Sequence, residues 1–177
     1  MAIITAQDTT LLIVDFQVRL MPAIDEGLAA IANARKLVDA AALFGVPALF
    51  TEQNPKGLGP TVPELAPDDA RVFRKTTFDA GRTPGFDHRL GEDNAVIVAG
   101  CEAHVCVLQT ALGMVEKGRR VFVVRDAVGS RRAESKDAAL GRMERNGVEI
   151  VTTEMVVFEW LGDAANPRFK DAVALIK

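Results

Sequence analysis

The sequence predicts an α/β fold in which a parallel β-sheet lies between two layers of helices. Apolar runs and amphipathic segments alternate along the 177 residues at the spacing of βαβ units, with no repeat or linker between them. Three of these runs, residues 11–14, 96–98 and 121–124, are continuously apolar instead of alternating with polar residues. Strands of this kind are buried on both faces, which is typical of a parallel sheet covered by helices.

Six strands are predicted in chain order, each as a short apolar or β-branched run. They are residues 10–15, 46–51, 70–75, 94–99, 120–125 and 148–152. Amphipathic periodicity predicts long helices at 26–44, 104–118 and 132–146, and shorter ones at 84–91, 154–161 and 166–176. Gly45, Gly118 and Gly147 support three of the helix ends, because a left-handed residue commonly stands just after a helix.

Length and composition favour one domain, residues 1–177, with a core large enough to carry a cleft. The hydrophobic content is 49% and the formal net charge is −3, from 21 basic and 24 acidic residues that are interspersed. No basic stripe is available for nucleic acid, and no apolar run reaches the ~20 residues that cross a bilayer. The first residues lack the pattern of a signal peptide. We therefore expect a cytoplasmic protein that acts on a small molecule, with neither nucleic acid nor a membrane as its partner.

The cysteines and histidines do not form a recognisable metal-binding or redox motif. Cys101 and Cys106 lie five residues apart, which is neither a CxxC pair nor half of a four-cysteine zinc site. The two histidines, His88 and His104, have no second ligand at helical spacing. No glycine-rich nucleotide motif is present. We expect no metal and no cofactor, although a site made only of carboxylates stays open.

The carboxyl ends of parallel strands form one edge of a sheet, and ligands bind there in folds of this class. The predicted strands bring Asp15, residues 51–53, Lys75 and Asp126 to this edge, and the fourth strand leads into the turn that holds Cys106. A thiol at the start of a helix lies near unpaired backbone N–H groups, which stabilise a thiolate and the oxyanion formed when it attacks a carbonyl. The alternative for Cys106 is an inert core residue.

Asp15, Lys75 and Cys106 together have the chemistry of nucleophilic catalysis. An unperturbed cysteine, with a pKa of ~8.5, is only a few per cent thiolate at neutral pH. Asp15 can serve as the base, and a cationic Lys75 between the two is expected to lower the pKa of the cysteine. Each has a structural alternative, since Asp15 could cap the turn after its strand and Lys75 could be a solvated surface charge.

Three further polar residues have less direct interpretations. We expect His104 to shape the substrate pocket more than to act as the base, because neighbouring positions of a turn point in different directions. Glu102 is expected to anchor the turn through hydrogen bonds. Asp126 is expected to be structural or to lie at the rim of the pocket.

In this order and at this spacing, the residues resemble the isochorismatase-like cysteine hydrolases, a family that includes nicotinamidases and carbamoylsarcosine amidases. The markers are residues 11–17 around the aspartate, 73–78 around the lysine, and 100–107 with Thr110 around the cysteine. Residues 51–65, 161–164 and 166–170 look like the isochorismatase-domain-containing branch of that family. The resemblance spans nearly the whole chain.

The resemblance implies a three-layer, Rossmann-like fold whose six parallel strands lie in the order 3-2-1-4-5-6. It implies Asp15, Lys75 and Cys106 as the catalytic triad. It also implies a cis peptide bond between Cys101 and Glu102, with an oxyanion hole formed by the backbone N–H groups of Glu102 and Cys106.

Two departures from the family narrow the substrate. Nicotinamidases hold a metal with an aspartate and histidines after the second strand, whereas this chain has Thr51-Glu52-Gln53 there, so nicotinamide is doubtful. The true isochorismatases cleave a vinyl ether and lack the cysteine, so Cys106 points away from that reaction. The leading hypothesis is a hydrolase that cleaves a C–N bond of a small amide, or an ester, through a thioester on Cys106. The alternatives are a binding or scaffold protein with the same fold and a nucleic-acid hydrolase.

Five side chains are expected to line the substrate pocket: Phe16, Gln17, Glu52, Phe78 and His104. A homo-oligomer is also expected from the resemblance. The stretch 155–161 is more apolar than a lone surface helix requires, so it could pack either against another subunit or against the core of its own.

Overall fold

A sheet of six parallel strands organises the computed structural model, which describes residues 3–65, 67–91 and 95–177. The strands are β1 (Thr9–Val14), β2 (Ala48–Gln53), β3 (Val72–Lys75), β4 (Ala95–Cys101), β5 (Val121–Gly129) and β6 (Glu149–Val151). Their order is β3-β2-β1-β4-β5-β6, which confirms the predicted fold class and the strand order that the resemblance implied. Asn94, the first residue of the predicted fourth strand, lies outside the described residues.

Helices cover both faces of the sheet. They are α1 (Gly27–Phe44), α2 (Pro55–Leu58), α3 (Phe86–Leu90), α4 (Leu108–Glu116), α5 (Ala133–Arg145), α6 (Thr153–Leu161) and α7 (Phe169–Ile176). The predicted helix at 104–118 divides into a π-helical turn, Ala103–Val107, and α4. The sequence did not predict α2, because four residues are too few to show a helical period. In the described part of the chain, no helix is long and apolar enough to cross a bilayer.

Two hydrophobic cores lie on opposite faces of the sheet, and alternate residues of β1 enter each of them. Leu11 and Ile13 join the core formed with α1, α6 and α7, whereas Leu12 and Val14 join the core formed with α3, α4 and α5. All four side chains are at most 1% exposed. The continuous apolar run is therefore buried on both faces, and each such side chain contributes about 1.5–3 kcal/mol to folding.

The apolar stretch in α6 packs mainly against its own subunit. Val156, Val157 and Trp160 are buried in the first core, and Trp160 makes an edge-on contact with Phe44. Core packing thus accounts for one face of the helix. The exposed fractions of Met155 and Phe158, 45% and 42%, show that the other face is apolar as well.

The strand order brings the carboxyl ends of β3, β2, β1 and β4 side by side. Val14, the last residue of β1, pairs with Thr51 on one side and with Gly100 on the other. At the next boundary, Gln53 of β2 pairs with Lys75 of β3. Because all these strands run in one direction, the residues that follow them converge on one edge of the sheet.

Candidate active site

Three buried polar residues, Asp15, Lys75 and Cys106, come together at this edge. Asp15 follows β1 directly and has a left-handed backbone, with φ of 51°. Lys75 is the last residue of β3, and Cys106 lies in the π-helical turn after β4. Their exposed fractions are 0%, 3% and 6%. Few charged side chains are buried so deeply without a specific partner, so these positions require a network.

Asp15 and Lys75 form a buried ion pair. Lys75 Nζ lies 2.7 Å from Asp15 Oδ2, and Thr51 Oγ1 donates to the other carboxylate oxygen at 2.6 Å. Lys75 Nζ also donates to Gln53 Oε1 at 2.8 Å and to the carbonyl oxygen of Thr77 at 3.3 Å. The ammonium has three donors, and all three are used. Both charges are therefore held in fixed positions.

Cys106 is a protonated thiol in this environment. Burial is the main cause that raises its pKa to about 12; the charge of Asp15 raises it further, and the charge of Lys75 lowers it. Lys75 lowers the thiol pKa, as expected from the sequence, but burial and the carboxylate together outweigh the ammonium, so the pKa lies above its ordinary value. A thiol with this pKa needs a base to remove its proton at neutral pH.

The nucleophile turn begins with a cis peptide bond between Cys101 and Glu102, at the position that the resemblance implied. The carbonyl oxygen of Glu102 accepts from the N–H groups of Val105 and Val107, at 3.0 and 3.2 Å. Burial raises the pKa of Cys101 to about 12 as well, and this thiol is fully buried in the first core. Cys101 therefore has a packing role.

The carboxylate of Glu102 anchors the turn to the segment after β5. It accepts from the backbone N–H of Arg131 at 2.9 Å and from Arg131 Nε at 3.0 and 3.1 Å. Its exposed fraction is 8%. This arrangement agrees with an anchoring role and leaves little of the carboxylate for proton transfer.

Two of the residues expected in the pocket are structural instead. Phe16 is 1% exposed and packs in the first core. Gln17 clamps the end of β2: its Oε1 accepts from the Gln53 N–H at 2.8 Å, and its Nε2 donates to the carbonyl oxygens of Gln53 and Gly59 at 3.1 and 2.6 Å. The side chains of both residues are thus committed to the fold.

Glu52 points away from the three clustered residues. Its Oε1 accepts from Thr61 N and Oγ1 at 2.8 and 3.0 Å, and its Oε2 lies 3.6 Å from Arg74 Nε. Glu52 and Arg74 are paired across β2 and β3, and side chains alternate between the faces of a strand. The next pair, Gln53 and Lys75, therefore shares the other face.

Gln53, which the sequence brought to this edge without assigning it a role, belongs to the site. Its Oε1 accepts from Lys75 Nζ at 2.8 Å and lies 4.0 Å from Cys106 Sγ. Its Nε2 donates to the carbonyl oxygen of Thr76 at 2.7 Å, which fixes the orientation of the amide. The signal that could have found it is the strand register, since it pairs with Lys75.

Replacing Gln53 with methionine is expected to lower the free energy of unfolding by about 1–3 kcal/mol, because the buried ammonium of Lys75 loses an acceptor. Urea denaturation measures the change. The same substitution at Gln109, which is exposed on α4, is the matched control and is expected to change stability by less than about 0.5 kcal/mol. Equal effects at the two positions would contradict a role for Gln53 in holding Lys75.

Phe78 and His104 are the expected pocket residues that remain accessible. Phe78 is 51% exposed and follows Thr77, whose carbonyl oxygen binds Lys75. His104 is half-buried, and its Nδ1 lies 3.0 Å from Ser130 Oγ. Phe78 thus exposes apolar surface one residue after the carbonyl that binds Lys75, and His104 contacts the segment after β5 through Ser130.

Asp126 has a structural role. Its Oδ1 accepts from the Thr153 N–H and hydroxyl at 2.9 and 3.0 Å, which fixes the start of α6. Metal ligation is a separate question: within residues 3–65, 67–91 and 95–177, no group of three or more His, Cys, Asp or Glu side chains could hold a metal ion.

Comparison with known proteins gives matches over nearly the whole chain. The family model for the isochorismatase domain matches residues 9–155. Isochorismatase domain-containing protein 2 of Danio rerio is 36% identical over 176 residues, which are 98% of this chain and 89% of the relative. The structure of MAR1 ribonuclease from Caenorhabditis elegans is 36% identical, with a TM-score of 0.93, and covers 99% of this chain and 92% of that chain.

YcaC is a further structural relative. The structure from Pseudomonas aeruginosa, with hexane-2,5-diol and covalent acrylamide, is 28% identical, has a TM-score of 0.89, and covers 98% of this chain and 91% of that one. The structure from Escherichia coli, described as an octameric hydrolase of unknown specificity, is 27% identical, has a TM-score of 0.87, and covers 99% of this chain and 88% of that one.

Proposed function

The chain belongs to the isochorismatase domain family, and from this premise we propose that it is a cysteine-dependent hydrolase that cleaves the C–N bond of a small amide. The observation that supports the proposal most directly is the cluster of a buried thiol, a carboxylate and an ammonium at the carboxyl edge of the sheet. Asp15, Lys75 and Cys106 are the proposed triad, and an ester is the second substrate class that the same chemistry would accept.

The raised pKa of Cys106 determines how the proposed reaction starts. The thiol is protonated at rest, so Asp15 takes the proton of Sγ as Sγ attacks the substrate carbonyl carbon. Asp15 then gives this proton to the leaving nitrogen, and the C–N bond breaks to leave a thioester on Cys106. Water attacks the thioester carbon, Asp15 takes one of its protons, and that proton returns to Sγ as the acid leaves.

Lys75 and the nucleophile turn carry the charge that develops during these steps. The ammonium of Lys75 keeps its place because Asp15, Gln53 and Thr77 all accept from it. We assign the oxyanion of the tetrahedral intermediate to the backbone N–H groups of Glu102 and Cys106. Preorganised donors of this kind are worth about 10²–10³ in rate for each donor.

Two relatives bear on the choice between functions. In the P. aeruginosa YcaC structure acrylamide is covalently bound, which supports a reactive nucleophile in that relative, since acrylamide is attacked at its C=C bond. The ribonuclease name of the C. elegans relative supports RNA hydrolysis as the competing function. The net charge of −3 argues against a polyanionic substrate.

Replacing Cys106 with alanine is expected to lower amide hydrolysis by at least about 10³-fold, because the proposed acyl-enzyme forms on this thiol. Release of ammonia or amine from a panel of small amides, with mass spectrometry of the trapped thioester, measures the effect. Cys101→Ala is the matched control and is expected to keep hydrolysis within about tenfold of the unchanged protein, since Cys101 is a packing residue.

Three outcomes of the panel separate the alternatives. Hydrolysis that survives in Cys106→Ala overturns the cysteine mechanism. No hydrolysis of any amide or ester by the unchanged protein favours a binding or scaffold role. Cleavage of RNA in the absence of added metal, lost in Cys106→Ala, favours the ribonuclease function over the amidase.

We also propose a homo-oligomer. The E. coli YcaC structure is octameric, and this chain exposes Leu28, Met155 and Phe158 with exposed fractions of 82%, 45% and 42%. A neighbouring subunit that covers these side chains would remove their apolar surface from water.

A further inference from the structure

A cavity of about 420 Å³ lies beside the nucleophile turn and is lined by His104, Arg131, Arg132 and Ser135. His104 comes from the turn itself, two residues before Cys106, and the other three follow β5. Its lining side chains are all polar or cationic. The mechanism proposed above uses none of these four side chains.

Arg131 is held in place by a buried carboxylate. Glu102, 8% exposed, accepts from the Nε and backbone N–H of Arg131. The two terminal nitrogens of this guanidinium make no hydrogen bond to any residue in the described part of the chain. The side chain is 61% exposed. Its terminal donors are therefore preorganised and available, which lowers the entropic cost of binding a partner.

Arg132 adds a second cation with only a weak partner. Its Nη1 lies 3.6 Å from Glu134 Oε1, and the two side chains are 78% and 77% exposed. Exposed pairs of this kind contribute little, so a ligand can displace Glu134. Ser135 supplies a hydroxyl from the first turn of α5, and among the described residues His104 is engaged through its Nδ1 alone, by Ser130.

The two cationic side chains of this cavity lie at the positive end of a helix dipole, which repels them. Arg131 and Arg132 stand immediately before α5, whose N-terminal end is the positive end of the helix dipole. No side chain caps the helix there, and Arg132 occupies the position where Ser, Thr, Asp or Asn is preferred. Glu102 and Glu134 offset part of this repulsion, and an anion between the two guanidinium groups would reduce it further.

We infer that this cavity binds the anionic end of the substrate, a carboxylate or a phosphate group. The inference rests on the proposed function, because it makes the substrate of Cys106 a small amide with an acidic group. Guanidinium groups bind both anions through paired, charge-assisted hydrogen bonds. The cavity shares His104 with the turn that carries Cys106, and this shared residue is the reason to assign the anion to the substrate of Cys106.

Isothermal titration at low ionic strength tests the site directly, with succinate and inorganic phosphate as separate probes. Saturable binding of at least one probe below about 10 mM is expected, and the probe that binds identifies a carboxylate or a phosphate ligand. Arg132→Gln is expected to weaken that binding by at least about tenfold. This residue is exposed, and the hydrogen bonds that hold Glu102 come from Arg131, so its replacement leaves the anchor of the turn intact.

Arg142→Gln is the matched control, because it removes the same charge from the last turn of α5, ten residues further along the helix. It is expected to leave the affinity within about twofold of the unchanged protein. Absence of saturable binding for both probes overturns the inference. Equal weakening by the two substitutions overturns it as well, since a diffuse positive field would then account for binding.

A matched pair of substrates connects the cavity to the reaction. Succinamate carries a carboxylate, and butyramide is its neutral counterpart of equal length. A KM for succinamate that is at least about tenfold lower, and a loss of this preference in Arg132→Gln, are expected. Hydrolysis of both amides without such a preference contradicts the anion site and leaves the proposed hydrolase supported. Anion binding without any amide hydrolysis contradicts the proposed hydrolase while the titration still supports the cavity as an anion site.

Discussion

Replacing Asp15 with asparagine is expected to speed the alkylation of Cys106 and to slow amide hydrolysis. The carboxylate is one of the groups that raise the thiol pKa, and Lys75 is the group that lowers it. Without the carboxylate, the ammonium becomes the dominant neighbouring charge and a larger fraction of Cys106 is thiolate. Hydrolysis has lost its base, which is worth about 10²–10⁴ in rate. The two measurements therefore move in opposite directions.

The pH dependence of alkylation shows whether the substitution raises or lowers the pKa of Cys106. In the unchanged protein, with a thiol pKa of about 12, the rate of iodoacetamide alkylation is expected to rise through the whole alkaline range. In Asp15→Asn the rise is expected to begin at lower pH. Each unit by which the pKa falls increases the thiolate fraction tenfold, so alkylation at pH 8 is expected to be at least about ten times faster. Alkylation quenched at timed intervals at each pH, followed by mass spectrometry, measures the pH–rate profiles of both proteins.

Stability has to be measured on the same samples, because the substitution breaks a buried ion pair. Removing one partner of such a pair costs about 3–5 kcal/mol. Asparagine tolerates the left-handed backbone of Asp15, so no further strain is expected. The double variant with Lys75→Met leaves no uncompensated charge and is expected to recover part of the loss. Its thiol lacks both neighbouring charges.

Two further variants test whether the charge of Asp15 is what changes the reactivity of Cys106. Lys75→Met alone leaves the carboxylate next to the thiol, so alkylation is expected to be slower than in the unchanged protein. Thr51→Val removes the hydrogen bond to Asp15 Oδ1 but keeps the charge, and alkylation is expected to change by less than about threefold. If alkylation and hydrolysis both fall in a folded Asp15→Asn protein, Asp15 is a structural residue and the proposed base lies elsewhere.

The edge of the sheet could be predicted from the sequence because it depends on strand direction alone. Continuous apolar runs indicate a parallel sheet, and a parallel sheet places the residues after its strands at one edge. Asp15 and Lys75 follow from this rule without any knowledge of register. The predicted end of the second strand at residue 51 was two residues short, and this left the orientation of residues 52 and 53 open.

The register of neighbouring strands decides on which face of the sheet each side chain lies. This register could not be predicted from the sequence. Glu52 and Gln53 are neighbours with similar side chains, yet one binds Thr61 and the other binds Lys75. A shift of one residue would exchange them. The partners of His104 and Glu102 are equally hidden, because Ser130 and Arg131 come from the segment after β5, 26 and 29 residues later in the chain.

The direction of the thiol pKa could not be predicted for a different reason. The sequence shows which charges are available, and from these a lowered pKa is a reasonable expectation. Burial is the largest cause in the structure, and it depends on the packing of the second core around Cys106. Electrostatic arguments from sequence therefore identify the interacting groups better than they identify the net effect.

Replacing Gly100 with alanine is expected to cost more than about 4 kcal/mol or to prevent folding. A Cβ at this position would lie 2.3 Å from the carbonyl oxygen of Val14 and 2.5 Å from its Cβ. Gly100 also has φ of 149°, a conformation that other residues rarely adopt. The two residues are paired in the central strands β1 and β4, where packing leaves no room for a shift.

Gly45→Ala is the control that separates the effect of a steric clash from the effect of an unfavourable backbone conformation. Gly45 has φ of 74°, and a Cβ there would have no atom within 4 Å, so a cost of only about 1–2 kcal/mol is expected. Soluble yield, circular dichroism and urea denaturation of both variants measure the difference. Similar stabilities for the two would show that the contact between Gly100 and Val14 is not a constraint. A large difference would show that the glycine sets the spacing of β1 and β4 next to the site. Val14 precedes Asp15, and Gly100 precedes the nucleophile turn. Because Gly100 has no side chain, the two strands approach closely enough to bring the carboxylate to the thiol.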